Sequence, residues 1–369
     1  MPQTQTNDDT APLLRPVQLG PLTLPNRVIM APMTRTRATP DRVPTPMMAE
    51  YYAQRASAGL IVTECVAIAP DSAGIVQAPG IYSADQIKGW RAVTDAVHAA
   101  GGRIVCQVWH GGRCSHTSLQ PGGAPPVGPS AIAAAGLIFT PDGRVPYSVP
   151  RALELDEIAA IVCAFGDAVR NAREAGFDGV ELHAAYGYLP DQFLQDGSNQ
   201  RTDRYGGPIE NRARFLFEVV DAMSLAWSPD RVGVKVSPSN TSYGMADSDS
   251  LATFSHAIAG LSERGLLYLH LMEPDKSDLD KGIVQVPDVI DTFGRLFKGA
   301  IIGNCGFDFA RANASIGNGQ VEMVSFGKLF LANPDLPARF ARDALFNPPD
   351  YATFYGEGPK GYVDYPTLA

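Results

Sequence analysis

The sequence contains no run of about 18 apolar residues, so no membrane-spanning helix is expected. Its first ten residues, MPQTQTNDDT, have neither a basic segment nor an apolar one, and no secretory signal is expected from them. Cysteine is scarce. Cys65, Cys106, Cys114, Cys163 and Cys305 are odd in number, scattered, and form no CxxC pair or Cys/His cluster. Reduced thiols in a cytoplasmic protein without a metal centre are the expectation. Positive charge is also short: 30 Lys and Arg stand against 39 Asp and Glu, for a net charge of −9. A non-specific nucleic-acid binder needs a basic face, so that class is excluded. No GxGxxG follows the first strand candidate, which argues against a Rossmann dinucleotide domain.

What is present is enough apolar material, 45% of residues, to bury a large core. Eight buried-strand candidates recur along the chain: Arg27–Met33, Gly59–Glu64, Arg103–Trp109, Asp178–His183, Arg231–Ser237, Leu266–Met272, Ala300–Asn304 and Glu322–Gly327. Helix-period segments are expected near 46–57, 84–100, 156–175, 208–227, 248–264, 285–297, 307–317 and 335–345. In one of them Ile158, Ile161, Val162, Phe165, Val169 and Ala172 form an apolar face opened by Asp156 as the expected N-cap. Another runs through Ile209, Ala213, Leu216, Phe217 and Val220, with Pro208 in its first turn. Eight alternating strands and helices specify the α/β class and a single (β/α)8 TIM barrel. Residues 1–12 are expected to form a disordered arm and 13–369 one domain. Val17, Leu19, Leu22 and Leu24 flank Gly20–Pro21, which predicts a hairpin able to plug the barrel. Residues 110–152, after the third strand, are too long for a simple connection and are expected to cap the site. The aromatic, glycine-rich C-terminal tail is expected to pack over something.

Strand carboxyl ends of a barrel converge on one pocket. The stretch DGVELHAAYGYLPDQF (178–193) sets His183, Tyr186 and Tyr188 just beyond strand four. The other strands contribute Pro32, Met33, Thr34, Glu64, Cys65, Gln107, Trp109, His110 and Lys235. GNCGF leads from strand seven through Cys305 and Gly306, and FGK leads from strand eight through Gly327 and Lys328. Paired glycine turns ahead of helices at these two strands suit a phosphate. Amide and hydroxyl groups, one cation, aromatics and a phosphate cradle together suit flavin mononucleotide. Gln107 and Thr34 would meet the ring edge, and Lys235 the N1–O2 side.

At these positions the chain resembles the old yellow enzyme family of FMN-dependent ene-reductases. The matching segments are NRVIMAPMTR (26–35), GLIVTE (59–64), QVWHGGR (107–113), PRALELDEI (150–158), AREAGFDGVELHAAYGYLPDQF (172–193), SNQRTDRYGGPIENRARF (198–215), FGKLFLANPDLPAR (326–339) and FYGEGPKGYVDYP (354–366). They follow one another over nearly the whole chain, and SNQRTDRYGGPIENR is long and specific. The resemblance implies FMN as cofactor and NADPH or NADH as hydride donor. It implies that hydride then passes from the flavin N5 to the β-carbon of an α,β-unsaturated carbonyl or nitro compound. Thr34 and Gln107 would bond the flavin ring beside Cys65, with Pro32 and Met33 alongside, and Cys305–Gly306 and Gly327–Lys328 would hold the phosphate. His183 and Tyr186 would hydrogen-bond the substrate oxygen and stabilise developing enolate charge. Tyr188 would protonate the α-carbon, and Trp109 and Tyr355 would shape the substrate pocket. A monomer or homodimer is expected, with no nucleic-acid or membrane partner.

Three departures stand out. Tyr186 occupies a position where the family usually has His or Asn. Lys235 and Lys328 replace arginines, which keeps the charge and loses the bidentate fork, so weaker FMN retention is expected. Cys65 stands where this branch often has alanine, and a small buried thiol is expected. Two rival readings remain open at this point. One is a flavin-free barrel lyase or isomerase on a phosphorylated substrate, with Lys235 or Glu64 as base. The other is an FMN-binding homologue with little turnover.

Overall fold

The Val-, Ile- and Leu-rich runs are buried on both faces, the condition that favours parallel pairing under a layer of helices. In the computed structural model, which describes residues 11–281 and 285–368, eight of these runs close into a parallel barrel. They are β1 (Val28–Met30), β2 (Leu60–Val62), β3 (Ile104–Trp109), β4 (Gly179–Ala184), β5 (Val232–Val236), β6 (Tyr268–Met272), β7 (Ile301–Asn304) and β8 (Met323–Phe326). Each pairs with the next, and β8 returns to β1 with Val324 beside Val28. A ninth short piece, Val66–Ala67, pairs with the end of β3.

Eleven helices surround the strands among the described residues: α1 (Pro46–Ala53), α2 (Ala84–Ala99), α3 (Leu155–Glu174), α4 (Leu189–Leu194), α5 (Ile209–Ala226), α6 (Ser250–Ser262), α7 (Lys276–Lys281), α8 (Val289–Phe293), α9 (Phe309–Gly317), α10 (Lys328–Ala332) and α11 (Leu336–Ala341). The short α4, α7 and α10 were not expected from periodicity, because one and a half turns cannot display an apolar face. The helix expected over 285–297 is confined to α8 and a following 3-10 turn, Gly294–Leu296. Helix α3 starts one residue early. Glu154 is its N-cap, with its N–H donating to Glu157 at 2.8 Å, and Asp156 lies inside the first turn. Likewise Pro208 is the N-cap of α5 rather than its first residue. Gly176 ends α3 at φ +87°, where Gly176 N and Phe177 N donate back to Arg173 and Ala172, so the backbone requires the left-handed region there.

Alternation along the strands divides the core. Val180 and Leu182 face the helices. Ile29, Leu60, Val62, Val105, Tyr268, Ile302 and Met323 fill the amino-terminal end of the barrel interior. The expected hairpin, Val17–Leu19 with Leu22–Leu24, closes that end by adding Leu19, Leu22 and Leu24 to the same cluster. Residues 1–10 of the expected arm lie outside the described residues, and Pro12 opens a one-turn helix, Pro12–Leu14.

The long connection after β3 has structure of its own. It contains a hairpin, Leu137–Thr140 with Gly143–Pro146, and its Val127–Gly128 pairs in parallel with Arg151–Ala152. The motif SNQRTDRYGGPIENR fastens this cap to the barrel. Arg201 donates to the carbonyls of Pro129 and Leu153 at 3.0 and 2.6 Å while pairing with Asp203, and Asn199 donates to those of Phe193 and Tyr205 at 2.7 Å each. The C-terminal tail packs over the β1 end. Arg35 and Arg37 donate to carbonyls of Thr353, Phe354 and Gly361, and Tyr362 stacks on Tyr51 at 4.1 Å. Among the described residues no helix is long and apolar enough to cross a membrane.

Candidate active site

Above the apolar floor the inward-facing residues become polar. One connected set spans six strands. Lys235 on β5 donates to Asn304 Oδ1 at 3.2 Å, and Asn304 Nδ2 donates to Ser325 Oγ at 2.8 Å. Ser325 meets His270 Nε2 at 2.7 Å, and His270 Nδ1 meets Glu181 Oε2 at 2.9 Å. Gln107 Nε2 completes the set by donating to Glu181 Oε1 at 2.8 Å. All of these side chains except that of Asn304 are buried.

One proton arrangement satisfies every member. Burial alone would raise the Glu181 carboxyl, but His270, Lys235 and Gln107 outweigh it and hold it below the usual carboxylate range. Burial and the nearby Lys235 charge push His270 down, so its imidazole is neutral and its Nδ1–H serves the carboxylate. Ser325 then donates to Nε2. Gln107 is left with Oε1 directed away from Glu181 toward the Cys65 thiol, 3.6 Å away. The site therefore presents a carbonyl acceptor from Gln107 and an ammonium from Lys235. Burial lowers the pKa of Lys235, and Glu181 opposes that shift. Of this set, Glu181, His270 and Ser325 were not picked out from sequence. The two-residue spacings Glu181–His183, Tyr268–His270 and Met323–Ser325 along their strands were the available signal.

The wall above carries the expected residues. His183 packs edge-on against Tyr188 at 4.8 Å, and Trp109 packs edge-on against Tyr188 at 5.2 Å. His183 is buried, and burial followed by the Lys235 charge pushes its imidazole down to about 3, so it is neutral. His183 Nδ1 and Trp109 Nε1 are buried with no hydrogen-bond partner among the described residues, so each has capacity left for a ligand. Cys65 contacts Gln107 and Thr34, and burial raises its thiol to about 12, which makes it an inert packing group. Tyr355 comes from the tail and lies near Cys65 and Tyr243.

Tyr186 is placed differently from the other two residues of its motif. It sits at φ +56°, with its N–H donating to Ser237 Oγ at 2.8 Å and its hydroxyl donating to Asp275 at 3.1 Å. Its hydrogen-bonding capacity is thus engaged by the loop after β6. Glu64 is likewise turned into the wall, where it accepts from Arg35 N at 3.1 Å and Tyr52 OH at 3.3 Å. Burial raises its carboxyl to about 7. His110 is buried with Nδ1 accepting from Gly112 N at 3.0 Å, a structural contact.

The ends of β7 and β8 adjoin. Cys305 and Gly306 are consecutive left-handed residues, at φ +71° and +72°, and Cys305 lies within the field of both Lys235 and Lys328. Gly327 is packed so closely that a Cβ would lie 3.0 Å from Met33 Sδ. Arg311, not anticipated from sequence, braces the first of these turns by donating to Gly306 O at 3.0 Å. A flavin phosphate fits these groups: a small-residue turn beside cations at one end, and at the other an acceptor, an ammonium and two buried ring nitrogens with no partner among the described residues.

Residues 12–345 match the sequence model of the NADH:flavin oxidoreductase / NADH oxidase family. The chain is 44% identical over 368 residues to putative 12-oxophytodienoate reductase 5 of Oryza sativa subsp. japonica, covering 98% of this chain and 96% of that protein. It is 42% identical over 362 residues to a probable flavin mononucleotide-dependent alkene reductase of Leishmania infantum, covering 96% and 97%. Among solved structures, morphinone reductase in complex with tetrahydroNAD superposes with a TM-score of 0.91 at 47% identity, over 97% of this chain and 98% of that one. The old yellow enzyme homologue from Zymomonas mobilis gives a TM-score of 0.93 at 42% identity, over 96% and 99%.

Proposed function

The chain belongs to the NADH:flavin oxidoreductase / NADH oxidase family and is an FMN-dependent oxidoreductase, and from that premise we propose that it reduces alkenes conjugated with a carbonyl or nitro group, using NADPH or NADH. FMN bound at the barrel mouth supplies the means to accept a hydride from the nicotinamide and return it to the alkene β-carbon. The observation that carries this reading is the closed hydrogen-bond set from Lys235 to Gln107, with the unsatisfied His183 and Trp109 nitrogens above it.

Residue roles follow from chemistry. Gln107, through Oε1, would accept from a ring N–H. Lys235 would stand by the ring oxygen where negative charge develops, with Thr34, Pro32, Met33 and Cys65 alongside. Cys305, Gly306, Gly327 and Lys328 would hold the phosphate. His183, neutral, donates to the substrate oxygen and stabilises its enolate character. Tyr186 occupies the second oxygen-binding position, and with its hydroxyl donated to Asp275 the substrate oxygen depends mainly on His183. Trp109 and Tyr355 bound the substrate space. Tyr188 carries the proton for the α-carbon: burial holds its phenol far above the usual range, so it is fully protonated at any working pH. The flavin-free rival would need a free base at the mouth, and Glu64 is bonded into the wall instead.

The test separates the two half-reactions. In Tyr188→Phe, anaerobic reduction by NADPH proceeds as in the wild type, while reoxidation by 2-cyclohexenone slows about a hundredfold, the usual weight of one general acid. Reoxidation at the wild-type rate would remove Tyr188 from this role.

A further inference from the structure

Three phenols from separate elements meet at the barrel mouth. Tyr188 follows β4, Tyr243 lies in the loop after β5, and Tyr147 belongs to the cap. The Tyr188 and Tyr243 rings are 6.0 Å apart, and those of Tyr243 and Tyr147 are 5.6 Å apart at 76°. The Tyr188 and Tyr147 hydroxyls are both oriented toward the Tyr243 hydroxyl. Tyr188 is buried, whereas Tyr243 and Tyr147 are half-buried, so the series leads outward.

Tyr243 is held in place at a cost. It sits at φ +61°, ψ +20°, a left-handed conformation that strains a non-glycine residue and persists only when its surroundings over-determine it. Here its carbonyl accepts from Ala135 N at 2.9 Å and from buried Arg113 Nη2 at 3.2 Å, both from the cap. The cap and the β5 loop thus fix the ring that Tyr188 leans on.

We propose that Tyr243 and Tyr147 form a proton relay that serves Tyr188. The proposal rests on the assignment of Tyr188 as the acid. When the Tyr188 O–H bond breaks and its proton forms the new C–H bond at the α-carbon, the Tyr188 oxygen is left as a phenolate in a buried site. The Tyr243 hydroxyl turns and transfers its proton to that oxygen. The Tyr147 hydroxyl, already pointing at Tyr243, replaces the lost proton, and Tyr147 regains one from water. Each phenol ends as it began, and the solvent supplies the proton that the alkene gained. Tyr243 and Tyr147 act through Tyr188 and are positioning residues.

The holoenzyme, reduced anaerobically, is reoxidised by 2-cyclohexenone or by ferricyanide, which takes electrons without a carbon-bound proton. In Tyr243→Phe, reoxidation by cyclohexenone slows about tenfold while reoxidation by ferricyanide and affinity for a phenol ligand stay at wild-type values. The proton inventory in mixed H2O/D2O changes from bowed to linear. Tyr147→Phe shows the same changes to a smaller degree, and its cap position makes it the backup if Tyr243→Phe folds poorly. A slow Tyr188→Phe beside a Tyr243→Phe with the wild-type cyclohexenone rate and inventory would overturn the relay alone. A Tyr188→Phe as fast as the wild type would overturn the acid assignment and the relay with it. Equal slowing with both acceptors in Tyr243→Phe would mark a structural role and also overturn the relay.

Discussion

Gln107 donates its amide N–H to Glu181 at 2.8 Å, and this contact decides which atom of Gln107 faces the pocket. Because Glu181 is ionised and can only accept, Gln107 must present its carbonyl on the other side. On the proposed reading, a cofactor N–H would meet a residue oriented from the barrel interior. Glu181→Gln removes the buried charge and blurs that orientation. The variant is expected to lose about 1.5–3 kcal/mol of stability, the scale of a hydrogen bond to a charged group. It should also raise the flavin reduction potential, since a nearby negative charge opposes reduction. Denaturant melts and equilibrium redox titration check both, and an unchanged potential would contradict the electrostatic part.

Deleting the His183 imidazole tests the oxygen-binding role. His183→Ala is expected to weaken binding of a phenol ligand by about 1–3 kcal/mol, measured from the flavin charge-transfer band. With the imidazole pushed down to about 3 by burial and Lys235, it stays neutral above pH 5. Wild-type phenol affinity should therefore show no break between pH 5 and 8 attributable to this residue, and a break that vanishes in His183→Ala would contradict its neutrality.

Tyr186 gives a contrast. Its hydroxyl is bonded to Asp275, so Tyr186→Phe is expected to change phenol affinity less than threefold, about 0.6 kcal/mol. Tyr186→Asn supplies a shorter donor and should strengthen binding. Titration of the long-wavelength band distinguishes them. A large loss in Tyr186→Phe would mean that the phenol does serve the ligand.

Much of this was legible from residue order. Continuous Val/Ile/Leu runs such as RVGVKVS announce strands buried on both faces, and Gly176 marks a helix end because only a left-handed residue closes it there. The hairpin plug, the cap and the β7 and β8 turns followed from spacing. What escaped depends on tertiary contact. Glu181 and His270 are 89 positions apart and meet only because their strands face the same interior. Tyr243 reaches Tyr188 through a strained loop whose conformation is set by Arg113 and Ala135, and nothing local in TSYGM signals that. The motif SNQRTDRYGGPIENR, the most specific in the chain, proved to anchor the cap rather than line the site.

Two buried carboxyls make stability fall with rising pH. Burial raises Glu64 and Asp191, with ordinary values of 4.5 and 3.8, to about 7 each. A raised folded-state value stabilises the fold fully below the unfolded value, and that contribution is lost as pH rises through about 7. Glu64→Gln keeps the neutral form at every pH. Relative to this variant, the wild type should lose stability between pH 5 and 8, on the order of 3 kcal/mol at most. Parallel urea-melt curves across that range would contradict the assignment.

The most direct test of a flavin held at these eight strand ends is a single anaerobic titration of the purified protein reconstituted with FMN. The protein is expected to be yellow, to be bleached by NADPH or NADH, and to regain its full colour when 2-cyclohexenone is added without oxygen. A folded protein that fails to retain FMN, or one that bleaches and stays bleached with every conjugated enone and nitroalkene offered, would contradict it.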